Sequence, residues 1–316
     1  MKINLITPAK KQSKSGNRNT AVRWARLIRE LGHQVSIAET YNDKPFDAMI
    51  ALHAWRSAES IERFHLRYPR RPLIVALTGT DIYRFQKSHP KICNRSMELA
   101  DQLVCLHDLV HQDIPKRFRS KLDVIHQFAQ PLPGPREPRK RYFDVCVVGH
   151  LRMEKDPLRA AYAVRDVPAD SRLRVTQLGK AHDESWAQKA REEMARNPRY
   201  TWRGEVSYAA VRREYQKTHV MVMSSVMEGG ANVISEAAVA GVPIIASNIP
   251  GNIGLIGKDH PGIYAVKNTQ ALQKLLLRAE QDPRYLGALT QRSKKIANKF
   301  TPTKERDSWR RVLAKF

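Results

Sequence analysis

The sequence predicts an α/β protein of two doubly wound, Rossmann-like domains facing across a cleft, and three observations predict it. Short β-branched apolar runs alternate with helical patterns along nearly all of the 316 residues, the signature of parallel βα units. The alternation stops once, at PLPGPREPRKR (131–141), where four prolines fall in eleven residues, and it then restarts, so a linker divides two blocks of ordinary domain size. At 42% hydrophobic and 27% charged residues, the composition supports buried cores and not a disordered chain.

In the first block the strand candidates are KINLIT (2–7), HQVSIA (33–38), AMIAL (48–52), LIVALT (73–78), QLVCL (102–106) and DVIH (123–126). Between the first two, AVRWARLIREL (21–31) places apolar residues at 21, 24, 25, 28 and 31, with Arg23, Arg26, Arg29 and Glu30 off that stripe and Gly32 to stop it. This reads as a helix packed on a sheet, with a basic membrane-surface helix as the competing reading. Beyond the linker the strands are FDVCVVG (143–149), RLRVTQLG (172–179), YTWRG (200–204), HVMVMSS (219–225), VPIIAS (242–247) and GIYAV (262–266). The tail, 269–316, reads as helical apart from breaks near Pro283 and Pro302. The expected division is a first Rossmann-like domain over 1–135, a second over 142–300 and a terminal helix, 301–316, crossing back to the first domain. In doubly wound sheets ligands bind beyond the carboxyl ends of the strands.

Lys and Arg number 55 against 31 Asp and Glu, a net charge of +24 with a pI near 10.2. Such an excess first suggests nucleic acid. It is spread evenly, however, +13 over residues 1–141 and +11 over 142–316, and no zinc-finger spacing or RRM-type aromatic signature accompanies it. No nucleic-acid partner is expected. A basic surface also concentrates small anionic substrates, and a merely solvated Arg-rich surface remains the competing account. No run approaches the ~18 apolar residues of a membrane span, and the N-terminus does not read as a cleaved signal peptide, so a cytoplasmic protein with no stable membrane insertion is expected. Cys93, Cys105 and Cys146 lack metal or disulfide spacing and read as buried thiols, and no metal site is expected.

Two stretches carry chemistry. The loop TPAKKQSKSGN (7–17) leads into a helix beginning near Arg18; Gly16 permits a tight turn, and Ser15, Asn17 and the first helical N–H groups can face an anion with Lys14 nearby. A plain surface turn is the alternative. In SSVMEGGANVISEAAVAGVPIIAS (224–247) a Gly-Gly loop follows a strand and opens a helix, and seven residues separate Glu228 from Glu236. N–H groups of Gly229, Gly230, Ala231 and Asn232 can hold a diphosphate or sugar hydroxyls, and two carboxylates about two helical turns apart can each accept hydroxyl hydrogen bonds. The competing reading has Glu236 pairing with a surface base while AAVAGVP packs a helix and strand.

That run resembles the E-x7-E signature of nucleotide-sugar glycosyltransferases with the GT-B fold. VVGHLRMEKDP (147–157) resembles their G-R-L-x-x-E-K-G segment, GEVSYAAVRREYQKTHVMVMSSVMEGG (204–230) follows their order of elements, and the SGN loop resembles their N-terminal glycine loop. The resemblance implies that Glu236 holds the donor ribose and Glu228 the donor sugar, with backbone contacts from Gly229 and Gly230. It puts Lys155 on the diphosphate in place of a divalent metal; the catalytic set is then Lys155, Arg152 and Glu228. Where the family has Arg stands His150, with Arg152 two residues on as its candidate replacement. Arg203 and Gly204 flank the base. LTGTDIYR (77–84) resembles the family's H-G-T-D run with Thr78 where His is common. Acceptor candidates near strand ends are Lys14, Thr20, His53, Arg56, Thr78, Asp81, His107 and His126, each His having a structural hydrogen-bonded role as its alternative.

SGNRNTAVRWARLIRELGHQV, ALHAWRSAESIERF, LTGTDIYR and VVGHLRMEKDPLRAA further resemble the selenosugar synthases of selenoneine biosynthesis. This implies transfer of N-acetylglucosamine or glucose from a UDP donor to the selenium of selenophosphate, with no cofactor. Selenophosphate is a small polyanion suited to a basic pocket, and its selenium needs little general-base help. Two other functions are carried: transfer to a polyol, lipid-carrier or saccharide hydroxyl, and nucleic-acid binding on a degenerate enzyme fold.

Overall fold

The computed structural model describes residues 1–13 and 16–316. Two parallel sheets of six strands each organise the chain. The first contains β1 (Lys2–Ile6), β2 (Gln34–Ala38), β3 (Ala48–Leu52), β4 (Leu73–Leu77), β5 (Gln102–Cys105) and β6 (Leu122–Val124), in the order β2-β1-β3-β4-β5-β6. The second contains β7 (Phe143–Val148), β8 (Leu173–Leu178), β9 (Tyr200–Trp202), β10 (Val220–Met223), β11 (Ile244–Ser247) and β12 (Ile263–Tyr264), in the order β12-β11-β10-β7-β8-β9. Each order reverses once, between β1 and β3 in the first sheet and between β7 and β10 in the second, and ligands of doubly wound sheets bind beyond the carboxyl ends at such a reversal.

The strands form where the sequence is β-branched and apolar because helices cover both faces of a parallel sheet. All five residues of β3 and all five of β4 are buried. Each of the twelve apolar runs becomes a strand; DVIH is displaced, since ladder pairing ends at Val124 and only the Ile125 N–H continues it, to the Cys105 carbonyl at 2.8 Å. The three cysteines are buried and unpaired, and burial pushes the Cys93 and Cys105 thiols up to about 12.

The chain forms two compact units. One comprises Met1–Phe128, Glu228–Asn232 and Thr301–Phe316; the other comprises Ala129–Met227 and Val233–Phe300. In the first, the helix Gly16–Glu30 packs against the helix Pro302–Leu313, with Trp24 and Trp309 edge to face at 4.8 Å between ring centres. Glu305 is fully buried there. Its carboxylate accepts from Trp24 Nε1 at 2.8 Å and the Phe128 N–H at 2.6 Å, and pairs with Arg23 Nε at 3.3 Å. Burial raises its pKa while Arg23 opposes the rise. Arg23, off the apolar stripe in sequence, is therefore the half-buried partner of a buried carboxylate and not a solvated base.

In the second unit the stretch 131–141, read above as a linker, is fastened down. Arg136 donates to the carbonyls of Gly241 and Thr218, both at 2.6 Å, and the Glu137 N–H donates to the Gln216 carbonyl at 2.8 Å. Proline removes N–H donors but leaves carbonyls and side chains free to bond, so a proline-rich sequence here is an ordered strap of the second unit. Both tail breaks hold: helices Thr269–Gln281, Pro283–Ala297 and Pro302–Leu313 follow one another, the last two with Pro in their first turn.

Candidate functional site

In the second unit the residues beyond β7 and β10 meet at the point of strand reversal. β7 runs into Gly149 and His150, then a short turn of 3-10 helix, Met153–Lys155. Ser224, just past β10, donates its hydroxyl to the carbonyls of Lys155 at 3.1 Å and Asp156 at 2.8 Å, and the Val226 N–H donates to the Glu154 carbonyl at 2.9 Å. Behind them Ser247 Oγ donates to the Ser225 carbonyl at 2.5 Å, and Asn252 Nδ2 donates to Ser247. Two loops, 69 residues apart at Lys155 and Ser224, are thus held as one body. Lys155 folds back over the end of β7, since a Cβ on Gly149 would lie 3.7 Å from its Cδ. Gly179 is required where β7 and β8 end together: a Cβ there would lie 2.0 Å from the Gly149 carbonyl oxygen.

Arg152 is exposed, with Nε 3.9 Å from Glu154. His150 is half-buried, and burial first, then Arg152 and Lys155, holds its imidazole below the usual range while Glu205 opposes them. Arg203, beyond β9, pairs with the buried Glu214 at 3.4 Å. Glu236 lies on the helix Asn232–Val239, half-buried beside the hydroxyl of Tyr215. Tyr215 is buried, and burial together with the Glu236 carboxylate pushes its phenol well above the usual range. Tyr215 falls within the run 204–230, and nothing in the spacing of that run singles it out.

In the first unit the turn Glu228–Asn232 packs on the loops after β4 and β5. A Cβ on Gly229 would lie 2.2 Å from the Thr78 carbonyl oxygen and 2.4 Å from the Gly79 nitrogen; one on Gly230, with φ +117°, would lie 2.5 Å from Leu106 Cβ. Close packing of backbone on backbone, and not approach to a phosphate alone, thus demands these glycines. Ala231 is buried. The helix starts at Asn232, whose Oδ1 accepts from Arg23 Nη2 at 3.0 Å. Gly16 opens the first helix, two residues before the expected start, and Asn17 is half-buried beside it; Lys14 and Ser15 lie outside the described residues.

The acceptor candidates are mostly occupied by the fold. Asp81 is buried, its carboxylate accepting from the N–H groups of Thr78, Gly79, Ile82 and Ala54 at 2.7–3.2 Å, so it shapes the turn that meets Gly229. Thr20 accepts from Gln127 at 2.7 Å. His53, at φ +77°, accepts the Arg56 N–H at Nδ1 and donates from Nε2 to Thr80 Oγ1 at 2.8 Å. His107 accepts the Leu109 N–H and donates to Tyr83, which donates to Asp113; burial pushes His107 down to about 4. His126 pairs with Asp108 at 2.8 Å. Thr78 Oγ1 is buried with no hydrogen-bond partner among the described residues, and Arg56 is exposed. Among the described residues no group of three or more His, Cys, Asp or Glu side chains is arranged to hold a metal ion, and no helix is long and apolar enough to cross a membrane.

The sequence matches the family described as "Glycosyl transferases group 1" over residues 133–299. No curated protein sequence matches the chain significantly. Among solved structures, Anabaena HepE in complex with UDP is similar at 14% identity over 100% of both chains, with a TM-score of 0.79. Sucrose-phosphate synthase from Thermosynechococcus elongatus is similar at 13% identity over 100% of both chains, with a TM-score of 0.80. TarM of S. aureus, solved with fondaparinux, α-GlcNAc-glycerol and UDP, is similar at 14% identity over 84% of this chain and 55% of its own, with a TM-score of 0.67. These likenesses show a shared fold, that of two Rossmann-like domains called GT-B. Because the family match spans more than half of the sequence, the chain belongs to the group 1 glycosyl transferases.

Proposed function

We propose that the chain transfers N-acetylglucosamine or glucose from a UDP donor to the selenium of selenophosphate. The observation that carries the donor half is the tie between the Lys155 loop and the β10 loop through Ser224 and Val226. It holds the main chain of Lys155 at the strand reversal, which supports a cation there, where charge developing on a departing diphosphate is best stabilised by groups already in place. HepE, solved with UDP and with UDP-glucose, supports a uridine nucleotide as the carrier. In this reading the bond from sugar C1 to the diphosphate oxygen breaks with its electron pair on UDP, and a bond from C1 to selenium forms. Water then cleaves the selenium–phosphorus bond, releasing phosphate and the 1-selenosugar. Lys155 and Arg152 meet the diphosphate, Glu236 the ribose diol and Glu228 the sugar. The acceptor half rests on the likeness of the SGN, ALHAW, LTGTD and VVGHL segments to selenosugar synthases.

The competing membrane-contact reading loses support because Arg23 pairs with the buried Glu305 and Arg29 donates to the Val35 carbonyl, while Arg26 makes an exposed pair with Glu30. The test is incubation with UDP-N-acetylglucosamine or UDP-glucose and selenophosphate, with UDP release and the selenium-containing sugar followed by mass spectrometry. Release of UDP only with a hydroxylated acceptor overturns the selenium reading. Lys155→Ala is expected to lower turnover about 10²–10³-fold; full activity in that variant removes Lys155 from the donor site.

A further inference from the structure

Asp156 follows Lys155 in a backbone conformation that its own sequence opposes. Its φ of +42° and ψ of +52° are left-handed, a region in which an L residue crowds its Cβ against the following carbonyl. Pro157 comes next and drives the residue before it toward extended backbone. The turn is nevertheless held from several directions. The Asp156 carboxylate accepts from both sides of the Arg159 fork, Nε at 2.8 Å on one oxygen and Nη2 at 3.2 Å on the other. Arg159 Nη1 in turn donates at 2.6 Å to the hydroxyl of Thr269, the first residue of the helix Thr269–Gln281. The Asp156 carbonyl accepts from Ser224 Oγ at 2.8 Å and from the Arg159 N–H at 3.2 Å. The paired side chains of Arg159 and Asp156 are only 17% and 15% exposed, so salt screens them less than it screens a surface pair.

Backbone kept against its local preference persists only where the surroundings over-determine it, and such residues cluster at functional sites. The neighbour on the N-terminal side of this one is the cation read above as a diphosphate ligand. Lys155 carries a flexible four-carbon stem, so the direction in which its main chain enters the turn limits where the ammonium can go. We propose that Asp156 is a positioning residue for donor binding: locked left-handed by Arg159 and Ser224, it sets the course of the main chain from which Lys155 reaches the donor diphosphate. This rests on the reading of Lys155 as a diphosphate ligand. Without the carboxylate–guanidinium pair, the turn relaxes toward the extended backbone that Pro157 favours, and the ammonium shifts off the diphosphate.

The experiment is a double-mutant cycle read by isothermal titration calorimetry of the full chain with UDP-glucose and with UDP-N-acetylglucosamine, so that no acceptor enters. Asp156→Gly is at ease with positive φ and lacks the carboxylate. Since a misplacement of about 1 Å can cost on the order of 10²-fold, it is expected to weaken donor binding about tenfold in the otherwise native chain and less than about twofold in the Lys155→Ala chain. Asp156→Asn tolerates the left-handed region and keeps one oxygen to accept from Arg159, so it is expected to bind more tightly than Asp156→Gly. A role in folding alone would lower the urea midpoint and leave the two chains equally affected. Equal weakening in both chains, no weakening by Asp156→Gly, or weaker binding by Asp156→Asn than by Asp156→Gly overturns this inference and leaves the donor site standing. If Lys155→Ala binds the donors as wild type does, or wild type binds neither, the donor reading of Lys155 falls and this inference with it.

Discussion

Gly229 occupies a place where backbone meets backbone, and alanine there would put a methyl group 2.2 Å from the Thr78 oxygen and 2.4 Å from the Gly79 nitrogen. Neither atom can swing aside as a side-chain tip can, so the turn Glu228–Asn232 must shift. Gly229→Ala is expected to cost about 1–3 kcal/mol, the range for overpacking, read as a lower urea midpoint, and to raise the donor KM because Glu228 moves with the turn. Asp81 lies behind the same contact. The sequence marked it as a polar residue at a strand end and hence as an acceptor ligand. Its oxygens instead accept from four backbone N–H groups of its own surroundings, a role that spacing does not reveal because Ala54 lies 27 residues away.

The helix Pro302–Leu313 shows how an element acquires a role from its packing. In sequence it is a basic helix after a proline break; in the fold its buried face carries Glu305, Trp309, Val312 and Leu313. Trp309 is fully buried against Trp24. Trp309→Ala is expected to destabilise the first unit by about 3–5 kcal/mol, the usual cost of emptying a buried tryptophan site, measured as a lower midpoint of urea unfolding followed by circular dichroism. The first helix was legible as amphipathic, and Trp24, Ala25 and Ile28 are buried as its stripe requires. Arg23 was not legible, because periodicity marks it as outward while the terminal helix brings Glu305 to it from 282 residues away.

Across the whole molecule the basic excess is used in part as a set of hydrogen-bond donors to main-chain carbonyls. Arg136 reaches Tyr215, Thr218 and Gly241; Arg199 reaches Ser171, Leu173, Pro168 and Ala169; Arg212 reaches Gln130 and Pro131. The guanidinium fork suits this task better than an ammonium. Acid sensitivity is also distributed. His107 in the first unit and His260 in the second are buried, and burial pushes each down to about 4. Because the unfolded chain binds these protons at its ordinary imidazole pKa and the native protein does not, stability is full above that value and falls as pH drops toward 4. Each site contributes up to about 3 kcal/mol of that loss. Urea unfolding between pH 7 and pH 4.5 checks this, and His107→Gln is expected to flatten the slope for the first unit.

The sequence by itself determined the fold class, the twelve strands, the tail helices and the stretches on which the candidate site stands. Alternation, turn residues and apolar stripes are local properties and leave local traces. Only the tertiary structure decided that Ser224 ties Lys155 to the β10 loop and that Gly229 and Gly230 answer to Thr78, Gly79 and Leu106. These depend on which residues distant in sequence are brought within hydrogen-bonding or van der Waals reach. Packing and desolvation set that at each point in space, and a single sequence carries no direct record of it.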